Sequence, residues 1–106
     1  MANTYTNAKL DLSSTSVTTL YTCATATTAI FKSIIVSEDS GNADTITVTL
    51  TNGSDVFSLF KTKSISANAT TELLTAPPIV TAGEIIKVTA ATANRLHVVA
   101  SVLELT

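Results

Sequence analysis

The sequence predicts an all-β protein: a single antiparallel β-sandwich of about eight strands, of jelly-roll or immunoglobulin-like type. Threonine alternates with large aliphatic residues from Thr45 to Thr51, and Asn52-Gly53 follows at once. Alternation that ends in Asn-Gly is typical of a half-buried strand entering a tight hairpin. Similar segments recur between turn residues without a linker or charge run, so we expect one domain over residues 1–106.

The remaining strands are predicted from short apolar or alternating runs bounded by turn residues. In chain order, we predict strands at Thr4–Leu12, Ser16–Cys23, Ala29–Ser37, Thr45–Thr51, Asp55–Lys61, Glu84–Ala90 and Leu96–Leu105. Two short segments, Ser64–Ala67 and Thr70–Leu74, are consistent with one edge strand interrupted near Asn68. Pro77-Pro78 then stops regular pairing, because proline lacks the backbone N–H and restricts the residue before it.

The period of two assigns side chains to the faces of three strands. The second strand places Val17, Thr19, Tyr21 and Cys23 on one face and Leu20 on the other. The third strand contains Ile30, Phe31, Ile34, Ile35 and Val36, as a central strand covered on both sides would. The last strand has Leu96, Val98, Ala100 and Val102 on one face, and Val99, Leu103 and Leu105 on the other. Such a strand is either central or has its second face buried by another copy.

Charge and hydropathy narrow the classes of partner. Only 13% of the residues are charged, against about a quarter in a typical soluble domain, so little charge keeps copies apart. The formal net charge of -2 and the scattered basic residues argue against a nucleic-acid partner. No apolar run approaches the roughly 18 residues of a membrane helix, and the opening residues predict no signal peptide.

The residues that could take part in catalysis or bind a metal also have structural explanations. His97 is the only histidine. We expect it to have a structural or interface role rather than to be the catalytic residue of a small hydrolase. Cys23 has no basic neighbour in sequence, so a buried small hydrophobe is expected. The loop 38–44 crowds Glu38, Asp39, Asn42 and Asp44 around a glycine, as a calcium site or a plain exposed turn would. The spacing of these loop residues does not match an EF-hand. For the chain as a whole, we expect no metal, no cofactor and no catalytic residues.

Contact residues are predicted from exposed aromatic and apolar side chains. Phe57 and Phe60 fall on opposite faces of their strand, so one is expected in the core and the other could anchor an interface. The candidate interface residues are Tyr5, Lys9, Phe60, Val99, Leu103 and Leu105. The polar segment 1–9 is a candidate N-terminal arm, in which Ala2 to Lys9 reach a neighbour.

Several stretches of the chain share a familiar pattern. They are the opening Ala2–Lys9, the internal segments Thr28–Ile34 and Thr71–Leu74, and the close Lys87–Glu104. With these stretches, the chain resembles small virion structural proteins of tailed bacteriophages, especially those of marine and cyanobacterial hosts. The resemblance spans nearly the whole length, and its motifs are structural.

The resemblance implies a protein made in the host cytoplasm and built into the virion. Its partners would be the major capsid protein or other virion proteins, and it would carry no enzymatic activity. A low-charge sandwich with a two-sided apolar last strand favours a capsid decoration (cement) protein, which forms closed symmetric clusters. We expect a homo-oligomer, with a trimer favoured. The alternative is a neck, tail or fibre component, including a receptor- or glycan-binding tail module.

Overall fold

The computed structural model describes residues 3–106, which form two antiparallel β-sheets packed face to face around one core. The strands are β1 (Asn3–Asp11), β2 (Thr18–Thr22), β3 (Thr28–Glu38), β4 (Asp44–Asn52), β5 (Asp55–Ile65), β6 (Thr70–Glu72), β7 (Ile79–Val80), β8 (Ile85–Ala90) and β9 (Leu96–Leu105). Sheet I has the order β1-β9-β3-β6, with β7 also paired to β3, and sheet II has the order β2-β8-β4-β5. The predicted β-sandwich is therefore confirmed.

The strand order distinguishes between the two sandwich types left open by the sequence. Consecutive strands within the described chain pair only at the β4–β5 hairpin, and all other pairings join strands distant in sequence. The first and last strands are neighbours, and the chain alternates between the sheets in the β1 to β4 portion. This is the order of a jelly roll, whereas immunoglobulin-like sheets place several consecutive strands side by side.

Alternating side chains build the core from both sheets. The inner faces of β3, β4, β8 and β9 contribute the largest share, and Phe31, Ile34, Val48 and Val98 are fully buried. β4 follows the predicted alternation, with Ile46 and Val48 buried between half-exposed threonines. β9 is central in sheet I and buries its predicted inner face, Leu96, Val98, Ala100 and Val102.

Two face predictions are wrong, for separate reasons. A register shift between Thr19 and Tyr21 interrupts the alternation of β2, so Leu20 and Cys23 are both buried and Val17, before the strand, is exposed. β3 is central in sheet I, but only its inner face is covered within one chain, since the outward residues of this strand keep partial exposure.

Strand boundaries also differ from the prediction around β5 and β7. β5 continues to Ile65 through Thr62, whose positive φ of 47° and two nearby register shifts accommodate a bulged edge. The Thr62 N–H donates to Thr47 Oγ1 at 3.1 Å, which fixes the irregular segment to β4. The short strand β7 follows Pro78 directly and was not predicted, because a proline pair usually ends sheet pairing.

Candidate interaction surface

Sheet I has an outward face that collects five of the six predicted interface residues. The register places Tyr5 opposite Leu103 and Lys9 opposite Val99, and Leu105 lies two residues beyond Leu103 on β9. Paired residues share a face, and alternate residues of a strand return to it. We call the outward side chains of β1, β9, β3 and β7 the outer face.

An apolar row crosses the outer face at one end. Tyr5 pairs with Leu103, Leu103 pairs with Ile30, and Ile30 pairs with Ile79, so four strands contribute one residue each. Tyr5 is 75% exposed and Ile79 57% exposed, whereas Leu103 and Ile30 are partly covered by their neighbours. Aligned aromatic and branched side chains on two paired strands stabilise a sheet. This row extends over four strands, which is more than the stabilisation of one strand pair requires.

A second row runs parallel to the first. Lys9 pairs with Val99, and Val99 pairs with Ile35. Val99 is 42% exposed in the middle of the sheet, and a shallow depression extends from Lys9 past Val99 to His97. The outer face is therefore apolar along two rows, with a cation at its β1 border.

Acidic groups close the far end of the outer face. His97 Nε2 lies 3.2 Å from Asp11 Oδ1, and His97 Nδ1 lies 3.5 Å from Asp39 Oδ2. A catalytic histidine uses one nitrogen for a nucleophile and the other for its orienting acid. Here both nitrogens face carboxylates, so the arrangement orients the ring and leaves neither nitrogen directed at a hydroxyl. All three side chains are substantially exposed, so the pairs contribute little to stability.

The acidic loop between β3 and β4 is organised by Glu38, which is only 2% exposed. Its Oε2 accepts hydrogen bonds from Ser40 Oγ and from the Ser40 N–H at 2.8 Å. Its Oε1 accepts from the Gly41 N–H at 3.1 Å and the Asn68 N–H at 3.0 Å. Burial opposes ionisation, but these hydrogen bonds outweigh it and lower the pKa of Glu38 from 4.5 to about 2.

The other loop carboxylates have separate roles. Asp44 Oδ2 accepts from the Thr92 N–H at 3.0 Å, and Asp39 faces His97. Within residues 3–106, no group of three or more His, Cys, Asp and Glu side chains could hold a metal ion. Glu38 and Asp44 thus accept hydrogen bonds that hold the ends of the loop, and Asp39 is paired with His97.

Cys23 and Tyr21 belong to the core rather than to a site. Cys23 is 1% exposed, as predicted, and its Sγ lies within hydrogen-bonding distance of two carbonyl oxygens, Thr27 O at 3.3 Å and Val80 O at 3.4 Å. Burial raises the pKa of the Cys23 thiol. Tyr21 packs its ring against Phe31 in a T-shaped contact at 5.2 Å and donates its hydroxyl to Glu104. Burial, followed by the hydrogen bond to Glu104, raises the pKa of the Tyr21 phenol.

Phe60, the sixth predicted interface residue, lies on sheet II, away from the outer face. It is half-buried against the core and lines a shallow depression with Leu59, Leu74 and Pro78. The structure gives the more exposed position to Phe57, at 53%. Both phenylalanines pair with inward residues of β4, Phe60 with Val48 and Phe57 with Leu50, because a register shift between them breaks the expected alternation.

The sequence did not single out three residues of the outer face: Ile30, Ile35 and Ile79. Ile30 and Ile35 were assigned to a strand covered on both sides, and the register shift at Lys32 changes the spacing between them. Ile79 was not singled out because it follows Pro77-Pro78, which predict the end of strand pairing. The sequence feature that did indicate this face is the alternation of side chains along the last strand, which places Val99, Leu103 and Leu105 on the same side.

The chain matches no protein-family model, and no curated protein is significantly similar to it. In the part that the structure describes, no helix is long and apolar enough to cross a membrane.

Proposed function

We propose that this protein is a non-enzymatic structural protein of a tailed-phage virion, and that it decorates and stabilises the capsid. The observation that carries the proposal is the outer face of sheet I, where apolar side chains from four strands remain at least partly exposed. The two apolar rows flank a polar row of Asn7, Ser101 and Ser33, and exposed apolar surface beside polar residues is typical of protein contact sites. The partner would be the major capsid protein, or another virion protein that presents a similar lattice.

The arrangement of the outer face suits a static contact. Tyr5 and Ile79 mark the two ends of the apolar row, so a partner could bury it along its full width. Lys9 at one border and Asp11 and Asp39 at one end supply a charged rim, which fixes orientation more than it adds affinity. Such a face binds through many modest contacts repeated at equivalent sites.

The sandwich behind the outer face favours a rigid element. The apolar inner-face residues of β9 and β3 are buried, so the outer rows are held on a packed support. A decoration protein resists deformation of the shell, and a preorganised sheet loses little conformational entropy when it docks. We propose that the protein is made in the host cytoplasm, assembles onto the virion and acts as a homo-oligomer.

Copy number tests the proposed function. The protein is quantified against the major capsid protein by mass spectrometry of purified virions of the phage that encodes it. A ratio near that of the capsid subunit, or a simple fraction of it, is the expected result. A few copies up to a few dozen would replace decoration by a neck, tail or fibre position, and absence from the particle would overturn the virion proposal.

A neck, tail or fibre component is the second candidate, and one observation favours it. The β4–β5 hairpin exposes Val56 at 62% and Phe57 at 53% close to its two-residue turn. An exposed apolar hairpin end is a suitable anchor for a receptor or for an adjoining tail protein. Binding of the isolated domain to host cells, lost in Phe57→Ser and retained in Ile79→Ser, would select this candidate.

A further inference from the structure

The outer edge of β1 differs from the other sheet edges in the described part of the chain. β1 pairs with β9 alone, in continuous register from Asn3 to Asp11. It contains no proline, no glycine and no bulge, and its charges, Lys9 and Asp11, lie near one end. An exposed edge of this kind leaves backbone N–H and C=O groups available for another strand.

The other edges carry features that discourage pairing. The opposite edge of sheet I is split into β6 and β7, with Pro77-Pro78 between them. In sheet II, β2 has five residues and a register shift. β5 has two register shifts, a positive φ at Thr62, and Lys61 and Lys63 beside it. Short strands, bulges, lysines and prolines are the devices that protect edges, and β1 has none of the bulges or prolines.

Hydrogen bonds at the end of β1 identify which groups face outward. Leu12 N donates to Leu96 O, and Leu12 O accepts from Asn94 N, so both groups of Leu12 point toward the β9 side. Along an antiparallel edge strand, residues whose backbone groups point toward the paired strand alternate with residues whose backbone groups point toward the free edge. The odd-numbered residues from Asn3 to Asp11 therefore present their N–H and C=O groups at the free edge, where the Asp11 carbonyl already accepts one hydrogen bond from the Ser13 N–H at 2.9 Å.

We propose that two copies of this protein pair edge to edge through β1, antiparallel, with the two-fold axis at Asn7. In this register Asn7 lies opposite Asn7 of the second copy, Tyr5 opposite Lys9, and Asn3 opposite Asp11. The outward-facing residues of both strands then exchange hydrogen bonds, and the Asp11 carbonyl accepts its second hydrogen bond there. Moving the axis by one residue in either direction leaves one outward-facing residue of each strand without a partner within Asn3–Asp11.

The side chains are compatible with this register. Lys9 of one copy lies opposite the Tyr5 ring of the other, where a cation and an aromatic face attract each other. The Asn7 side chains of the two copies lie opposite each other, and within one chain Asn7 Oδ1 accepts a hydrogen bond from Lys9 Nζ at 3.3 Å. Asp11 lies opposite the neutral Asn3. No two like charges are directly opposite, so the strand is complementary to itself in charge as well as in hydrogen bonding.

Pairing also joins the two outer faces into one surface. The apolar row of one copy, ending at Tyr5, continues into the Lys9, Val99 and Ile35 row of the second copy. The residues expected to form an N-terminal arm are thereby used at the edge of β1, apart from Met1 and Ala2, which lie outside the described residues. Two-fold pairing gives a dimer in place of the trimer that the composition led us to expect, and it does not depend on the proposed function.

Sedimentation analysis of the full chain and of one edge variant tests the pairing. We expect a species of twice the chain mass for the native protein and the chain mass for Asn7→Pro, which removes an outward N–H that β9 does not use. Phe57→Ser, which alters the exposed hairpin of sheet II, should leave the dimer intact. A native protein that stays monomeric at millimolar concentration, or an Asn7→Pro variant that folds and still dimerises, would overturn the proposal.

Single cysteines test the register independently of how proline affects folding. Residues opposite each other in a hydrogen-bonded pair have Cα atoms about 5.5 Å apart, within disulfide range, so Asn7→Cys should cross-link readily on oxidation. Asn3→Cys should not, because the two Asn3 positions would be roughly 27 Å apart. Equal cross-linking of both variants, or none in Asn7→Cys, would contradict the register. The native Cys23 is buried and stays in place as an internal control.

Discussion

Ile79 and Val80 are adjacent residues of β7 for which the structure predicts opposite consequences of the same substitution. Ile79 is 57% exposed at the end of the apolar row, whereas Val80 is 1% exposed in the core. Ile79→Ala should therefore weaken capsid binding and leave the fold nearly unchanged. Val80→Ala should weaken the fold.

The magnitudes come from the exposed and buried fractions. Full burial of an isoleucine side chain is worth up to about 3 kcal/mol, so covering the exposed 57% of Ile79 on binding contributes roughly 1.5 kcal/mol. That corresponds to about a tenfold loss of affinity at each site in Ile79→Ala. Val80→Ala removes buried methyl groups and leaves a cavity, which costs roughly 2 kcal/mol of folding free energy.

Chemical denaturation of the two variants and co-sedimentation with particles lacking the protein separate these effects. We expect Ile79→Ala to lie within about 1 kcal/mol of the native free energy of unfolding. A loss of stability in Ile79→Ala equal to that in Val80→Ala would refute the assignment of Ile79 to the surface. Undiminished binding of folded Ile79→Ala would refute the outer face as the docking surface.

Three further substitutions or treatments test the interior. The folded-state pKa of Glu38 is lowered to about 2, so its stabilisation is complete above about pH 4.5 and is lost as the pH falls to about 2. When the free energy of unfolding is measured against pH, this acid-dependent loss of stability should be absent in Glu38→Gln and present in Asp39→Asn. Thr51→Val should raise the free energy of unfolding by roughly 1 kcal/mol, since Thr51 Oγ1 is buried without a hydrogen-bond partner in the described chain; an equal gain in the half-exposed control Thr49→Val would contradict this. Cys23 should react with a thiol reagent at least about 100-fold more slowly in the native protein than in denaturant, and comparable rates would show that it is accessible.

The fold could be predicted because its central strands obey simple alternation. β4 and β9 follow a period of two over most of their length. The β4–β5 hairpin forms as predicted, but its turn is one residue later than predicted, at Gly53-Ser54, because Asn52 still pairs with Asp55. A half-buried strand must alternate, so burial itself produces the readable pattern. The choice of a jelly roll depended on pairings between strands distant in sequence, which local pattern does not encode.

The failures occur where backbone geometry departs from regular pleating. The register shifts at Leu20 in β2 and at Leu59 in β5 each change which side chains share a face, and neither position has a glycine to signal it. β7 escaped prediction because two residues after a proline pair carry no periodicity. These features are determined by the packing of the two sheets.

The candidate surface was predictable in part. The alternation of β9 was sufficient to place Val99, Leu103 and Leu105 on one face. The position of Tyr5 opposite Leu103 required the pairing of β1 with β9. Ile30 and Ile79 required the tertiary pairing of β3 with β9 and β7. The free edge of β1 also appears only when all the pairings are known, because an edge is defined by the strand that is missing beside it.

A cryo-electron-microscopy reconstruction of the virion is the most direct test of the central claim that the outer face of sheet I binds the capsid. The proposal predicts jelly-roll density at symmetric sites on the shell, with Tyr5, Leu103, Ile30 and Ile79 against the major capsid protein. Density that places this face toward solvent, or a shell without the protein, would contradict it.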